Sequence, residues 1–137
     1  MKKIISFLFL VISTALFSQD GIKFGKQSFA QTLEQAKKEN KLIFLDAFAS
    51  WCGPCKLLDK NVFPKKEVGD YFNANFLNLH IDMEKGEGIE NEKKYSIYSY
   101  PTLLFIDGDG KVVYKAAGYM SPQELIGIAK EAVNPEN

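Results

Sequence analysis

The sequence predicts an α/β domain with a mixed central β-sheet flanked by helices, built as a βαβ unit followed by a ββα unit. Three observations carry this. Apolar runs of strand length occur at Leu42–Phe48, Phe76–Ile81 and Thr102–Ile106. Segments with helical periodicity and cap signals lie before, between and after them. Asp107-Gly108-Asp109-Gly110 supplies a hairpin turn for a returning strand, Lys111–Ala116.

The elements follow in chain order. Met1-Lys2-Lys3 is a short basic start, and Ile4–Phe17 is an uncharged apolar run. Polar residues return at Ser18. That is the layout of a secretory signal peptide over residues 1–18, with cleavage after Ser18 or Gln19. The run is short for a membrane span, which takes roughly 20 residues; an uncleaved amino-terminal tether is the alternative. The expected domain is 19–137.

Ser28 and Gln31 form a capping box that opens a helix running to about Asn40, with Phe29, Leu33 and Ala36 on one face. "LIFLDAF" is a buried strand with Asp46 inside it. A helix begins at Cys52 and runs through Leu58, and Pro64 opens another helical segment that turns Val68 and Phe72 inward. "FLNLHI" alternates as a strand. Glu84–Ser96 is polar and weakly helical. Ser121, Pro122 and Glu124 start the last helix with a second capping box, and Leu125, Ile128, Ala129 and Val133 mark its inner face.

Composition bounds the function. Lysines and acids balance at 17 each, and there is no arginine. Removing residues 1–18 takes away Lys2 and Lys3 but no acid, leaving a formal charge of −2. No basic cluster marks a nucleic-acid surface. "DGDGK" is not a calcium loop, because Lys111 occupies a ligand position and the later glycine and glutamate are misplaced. Phe44, Phe48, Phe72, Phe76 and Phe105 read as core.

Cys52 and Cys55 are the only cysteines. A Cys-X-X-Cys pair that follows a buried strand and opens a helix fits redox chemistry. Residues i and i+3 in a first helical turn lie within the Cα separation a disulfide tolerates. The unpaired N–H groups of that turn stabilise a thiolate at Cys52. Gly53 lets the small ring close, and Pro54 fits a turn whose N–H groups lack partners. Two alternatives stand beside this. A structural disulfide would close a loop too short to stabilise much. A zinc site takes four ligands, and beyond the cysteines only His80 is at hand, in a strand where it reads as an ordinary sheet residue.

"LIFLDAFASWCGPCK", "SYPTLLF" and "GYMSPQEL" together resemble the thioredoxin superfamily, from about Phe24 to Val133. "VFPKKEVGDYFNANF" is closer to secreted thioredoxin-like proteins and to the carboxy-terminal domain of DsbD-type transmembrane reductases. The resemblance implies that Cys52 attacks, Cys55 resolves, and Asp46, six residues before Cys52, is a buried general base. It implies that Pro101 is a cis-proline, and that Trp51, Gly53, Pro54, Tyr100, Pro101 and Gly118 form the docking surface. Three positions depart from the pattern. Asn78 stands where thioredoxins carry a buried lysine near the aspartate, Phe48 replaces a tryptophan, and Lys60 replaces a helix-kinking proline.

The activity so implied is thiol–disulfide oxidoreduction on disulfide-containing protein substrates, by a monomer, with no metal, cofactor or nucleic acid. Reduction of exported proteins is the favoured direction. The alternatives are a disulfide isomerase or oxidase, or a binding or chaperone module with a structural disulfide. Beyond the inner membrane, in a periplasm, a reductant needs a membrane electron donor of the DsbD/CcdA type.

Overall fold

The computed structural model describes residues 20–135. The leader assignment at residues 1–18, with its cleavage positions, lies outside them. The elements are α1 (Phe29–Glu39), β1 (Leu42–Phe48), α2 (Gly53–Asn61), α3 (Lys66–Asn75), β2 (Phe76–Asp82), α4 (Gly88–Lys94), β3 (Thr102–Ile106), β4 (Val112–Ala117) and α5 (Pro122–Val133). The sheet order is β2-β1-β3-β4. β1 runs parallel to β2 and antiparallel to β3, and β3 runs antiparallel to β4. This is the expected βαβ-then-ββα sheet.

Strand position explains strand composition. β1 and β3 are central and covered on both faces, so they read as unbroken apolar runs. β4 is an edge strand and alternates between half-buried and exposed residues. The two faces of the sheet carry separate cores. Phe44, Leu58, Phe72, Phe105 and Leu125 lie on the α2–α3–α5 side, and Ile43, Leu45, Leu104, Ile106 and Phe29 on the α1 side. Side chains alternate along a strand. Asp46 therefore shares a face with Phe44 and points towards the layer containing α2.

Both predicted capping boxes form, at Ser28–Gln31 and Ser121–Glu124. The boundaries shift in places. Cys52 is the cap of α2 rather than its first residue. Pro64 precedes α3, which begins at Lys66, and β4 begins one residue later than expected, at Val112. On α5 the inner face is Leu125, Ala129 and Ala132, an i, i+4, i+7 stripe, while Val133 is exposed. Val133 is one residue beyond the stripe, which turns it about 100° away from the core.

Candidate active site

The cysteine pair sits where β1 hands over to α2. Cys52 is the N-cap, and its Sγ accepts a hydrogen bond from the Cys55 N–H at 3.2 Å. The two residues are joined as a disulfide, with Cα atoms 5.3 Å apart. No acidic residue stands in the first turn of α2 to oppose its positive end. A thiolate at Cys52 would therefore be favoured by the Cys55 N–H that holds the sulfur and by the positive end of the helix. Both cysteines are 2% exposed, and Ala49, Phe48 and Tyr100 pack against them.

The predicted docking residues surround this pair. Trp51 is 66% exposed. Its indole N–H donates to the Glu84 carboxylate, and its ring meets Tyr100 edge-on at 5.9 Å. The Tyr100 hydroxyl donates to Glu92 at 2.8 Å. Burial first, and then the Glu92 carboxylate, push the Tyr100 phenol up to about 12, so it stays neutral. The Tyr100–Pro101 peptide is cis. The Gly118 N–H donates to the Pro101 carbonyl at 2.9 Å, and Gly118 sits at φ +91°, a backbone that side-chain-bearing residues rarely adopt. Gly53 and Pro54 are exposed at the helix start. Antiparallel pairing brings Pro101, at the head of β3, and Gly118, past the end of β4, to the edge of the sheet where β1 ends.

Asp46 lies in mid-strand with no exposure, and neither carboxylate oxygen has an aligned hydrogen-bond donor. Its neighbour is His80, which the parallel β1–β2 register sets directly beside it. His80 Nε2 lies 3.2 Å from Asp46 Oδ2 and 3.6 Å from Asp59 Oδ1 on α2. The nitrogen is within ion-pairing distance of both carboxylates but aimed squarely at neither, so the attraction is coulombic rather than that of a linear hydrogen bond. Burial holds the Asp46 carboxyl above its ordinary range, against the pull of His80, and Asp59 adds repulsion. Asp59 is raised as well, chiefly by burial. Burial pulls His80 down, but Asp46, Asp59 and Asp82 together hold it above its usual value.

One sequence expectation is corrected here. His80 is not an ordinary sheet residue. It is the direct partner of Asp46, and strand register, which the sequence alone does not display, puts it there. Asn78, where the family pattern has a lysine, shares the sheet face of His80, and its amide ties β2 to α3 by donating to the Phe72 carbonyl at 3.4 Å and to Asn73 at 3.3 Å. Phe48 is likewise more than core, because its ring stacks on His80 at 3.9 Å. The zinc alternative gains no support among the described residues, because the cluster that holds His80 contains neither cysteine. The Asp46–Asp59–His80 trio is one donor short of a closed structural zinc site, and its two raised carboxyls and raised imidazole make it an acid–base cluster.

Comparison with known proteins agrees with this geometry. The family model described as "Thioredoxin-like domain" matches residues 29–132. A thioredoxin of Mycoplasmoides gallisepticum is 33% identical over 98 residues, covering 72% of this chain and 91% of that protein. The thiol:disulfide interchange protein DsbD of Pseudoalteromonas atlantica is 30% identical over 105 residues, covering 74% of this chain and 18% of that protein. The chain thus spans about a fifth of the DsbD relatives it matches. Among solved structures, a candidate disulphide-isomerase from Bacteroides thetaiotaomicron is 51% identical, with a TM-score of 0.75 over 86% of this chain and 98% of that one.

Proposed function

This chain belongs to the thioredoxin-like family, and from that premise we propose that it is a thiol–disulfide oxidoreductase reducing disulfides of exported proteins. The observation that carries the reading is the Cys52–Cys55 pair closed across the first turn of α2, rimmed by Trp51, Tyr100, cis-Pro101 and Gly118. A purely structural staple would need no such rim, and so small a ring stabilises a fold little.

The chemistry runs from the reduced form. The Cys52 thiolate attacks one sulfur of a substrate disulfide, forming a mixed disulfide and releasing the other sulfur as a thiolate, which takes a proton from water. Asp46 accepts the proton of the Cys55 thiol. The Cys55 thiolate then attacks Cys52 Sγ and expels the second substrate thiolate. Two electrons pass to the substrate, whose two thiolates take their protons from water, while the Cys55 proton stays on Asp46 and the enzyme is left as the disulfide seen in the structure. Tyr100, held by its cis bond to Pro101, offers its backbone to an extended substrate segment beside the sulfurs.

Export is supported by Lys2-Lys3 and the apolar run that follows them. In an oxidising compartment, a dithiol with a potential near that of thioredoxin, about −270 mV, is drained of electrons. The proposal therefore includes a membrane donor that re-reduces Cys52–Cys55. A Cys55→Ser variant tests the reading: it should hold its client and its donor as mixed disulfides on Cys52, identifiable by mass spectrometry. A folded, exported variant that captures neither would refute it.

The similarity to the Bacteroides protein favours isomerisation as a second reading. It uses the same first step, but a substrate thiol rather than Cys55 then displaces Cys52. Faster recovery of scrambled ribonuclease than reduction of insulin would favour it, and a potential near −120 mV would exclude the reductant role.

A further inference from the structure

We propose that His80 and Asp59 form a proton exit for Asp46, with His80 Nε2 carrying the proton between the buried carboxyl and solvent. The proposal deepens the thiol–disulfide reading and rests on it. Each turnover leaves one proton on Asp46, taken from Cys55. That carboxyl has no exposure of its own, and without an exit it would remain protonated and idle.

The geometry supplies the path. One nitrogen, His80 Nε2, is close to both acids, at 3.2 Å and 3.6 Å, and that atom is itself shielded from water. A proton taken from Asp46 therefore need not cross the imidazole ring; a small tilt presents the same N–H to Asp59. The side chain of Asp59 is 43% exposed, against none for Asp46. Asp59 and His80 open onto a surface pocket of about 350 Å³, with Asp20, Phe24 and Phe63 on its walls. Proton flow thus runs inside to outside along a gradient of solvent access.

Three further features fit. Asp59 lies four residues after Cys55, so both occupy the same face of α2, turned towards β1 and β2. Phe48 stacks on the His80 ring at 3.9 Å and Phe24 lies at 5.1 Å, limiting the ring to small tilts and favouring its charged form through their π faces. The charged groups acting on His80 are Asp46 of β1, Asp59 of α2 and Asp82 of β2, all acidic. They favour the charged imidazole, which offsets the cost of moving a proton onto it from Asp46.

The balance is complete. Cys55–SH gives its proton to the Asp46 carboxylate, Asp46 gives it to neutral His80 Nε2, and the imidazolium passes it through Asp59 to water. The electron pair left on Cys55 sulfur forms the bond to Cys52 as the substrate thiolate departs. Re-reduction runs the same path inward.

The test uses ring closure in the full-length protein. Cys52 is charged with glutathione as a mixed disulfide, and the closure rate is followed by acid quench and mass spectrometry from pH 5 to pH 9. His80→Gln should slow closure about tenfold near pH 7, less than the loss of a general base itself, about 10²–10⁴-fold, because Asp46 remains to take the proton. The difference should shrink as pH rises towards 9, because hydroxide can then take the thiol proton directly and bypass the relay. Added imidazole should restore part of the rate, and Asp59→Asn should give a weaker defect of the same shape. Equal profiles for wild type and His80→Gln would overturn the proposal. So would equal slowing at every pH, which marks a structural role, or a wild-type profile altered by a chelator, which marks a metal site. Failure of the wild type to close at all would remove both this proposal and the redox reading. Failure to reduce insulin, with normal His80-dependent closure, would remove the reductant reading alone.

Discussion

Asp46→Asn removes a negative charge from the centre of β1 at nearly constant volume. Asp46 has no exposure, and its nearest donor, His80 Nε2 at 3.2 Å, is not aligned with it. Leaving a buried polar group unsatisfied costs about 1–3 kcal/mol, and more when the group is charged. Asparagine keeps the neutral part of that penalty and sheds the ionic part, so the variant should gain about 1–2 kcal/mol at pH 8. For a domain of this size that is roughly 4 °C in Tm per kcal/mol. The pH dependence has a definite sign. The folded-state value of Asp46 is raised above 3.8, so the stability that its bound proton contributes is complete below 3.8 and lost as pH rises through the folded value. The advantage of the variant is therefore absent near pH 3.5 and grows upward. His80 opposes it in the middle range. Its raised value contributes stability below 6.5 that is lost as pH rises through the folded value, and the variant forfeits part of that contribution. The gain should thus be largest at pH 8. Guanidinium denaturation of both oxidised proteins at pH 4, 6 and 8 measures it. The same variant should close its Cys52–Cys55 ring about 10- to 100-fold more slowly. A variant no more stable than wild type at pH 8, or with a larger gain at pH 4, would refute the account of Asp46 as a poorly compensated buried acid.

Other perturbations probe the frame that holds the site. Phe44→Ala, at the centre of the aromatic cluster with Phe72 at 4.7 Å and Phe105 at 5.3 Å, should cost about 3–5 kcal/mol in chemical denaturation. Gly88→Ala would drive a Cβ into the Asp82 carbonyl at the end of β2, so it should lower Tm sharply, whereas Gly53→Ala, with open space around it, should barely move it. Ser28→Ala removes the N-cap hydroxyl that accepts from the Gln31 N–H of α1 and should cost about 1 kcal/mol, read as a shift in denaturation midpoint.

Local patterns made much of the molecule legible. Leu42–Phe48 and Thr102–Ile106 were readable as central strands because burial on both faces demands unbroken apolar runs. Ser28 and Ser121 announced their helices because a cap depends only on residues three apart. Cys52 and Cys55 were readable as a pair for the same reason. Val133 was misplaced because a helix face is chosen by the surface it packs on, and the stripe through Ala132 fits that surface as well as one through Val133 does.

The sequence by itself determined the chemistry-bearing pair, the strand and helix order and the position of Asp46, because each depends on spacing along the chain. Tertiary structure alone decided the company Asp46 keeps. His80 is 34 positions away, and only the β1–β2 register sets it beside the aspartate. Asp59 joins them because α2 crosses that face of the sheet one turn beyond Cys55. Pairing across strands and layers is set by how surfaces fit, and no local spacing records it.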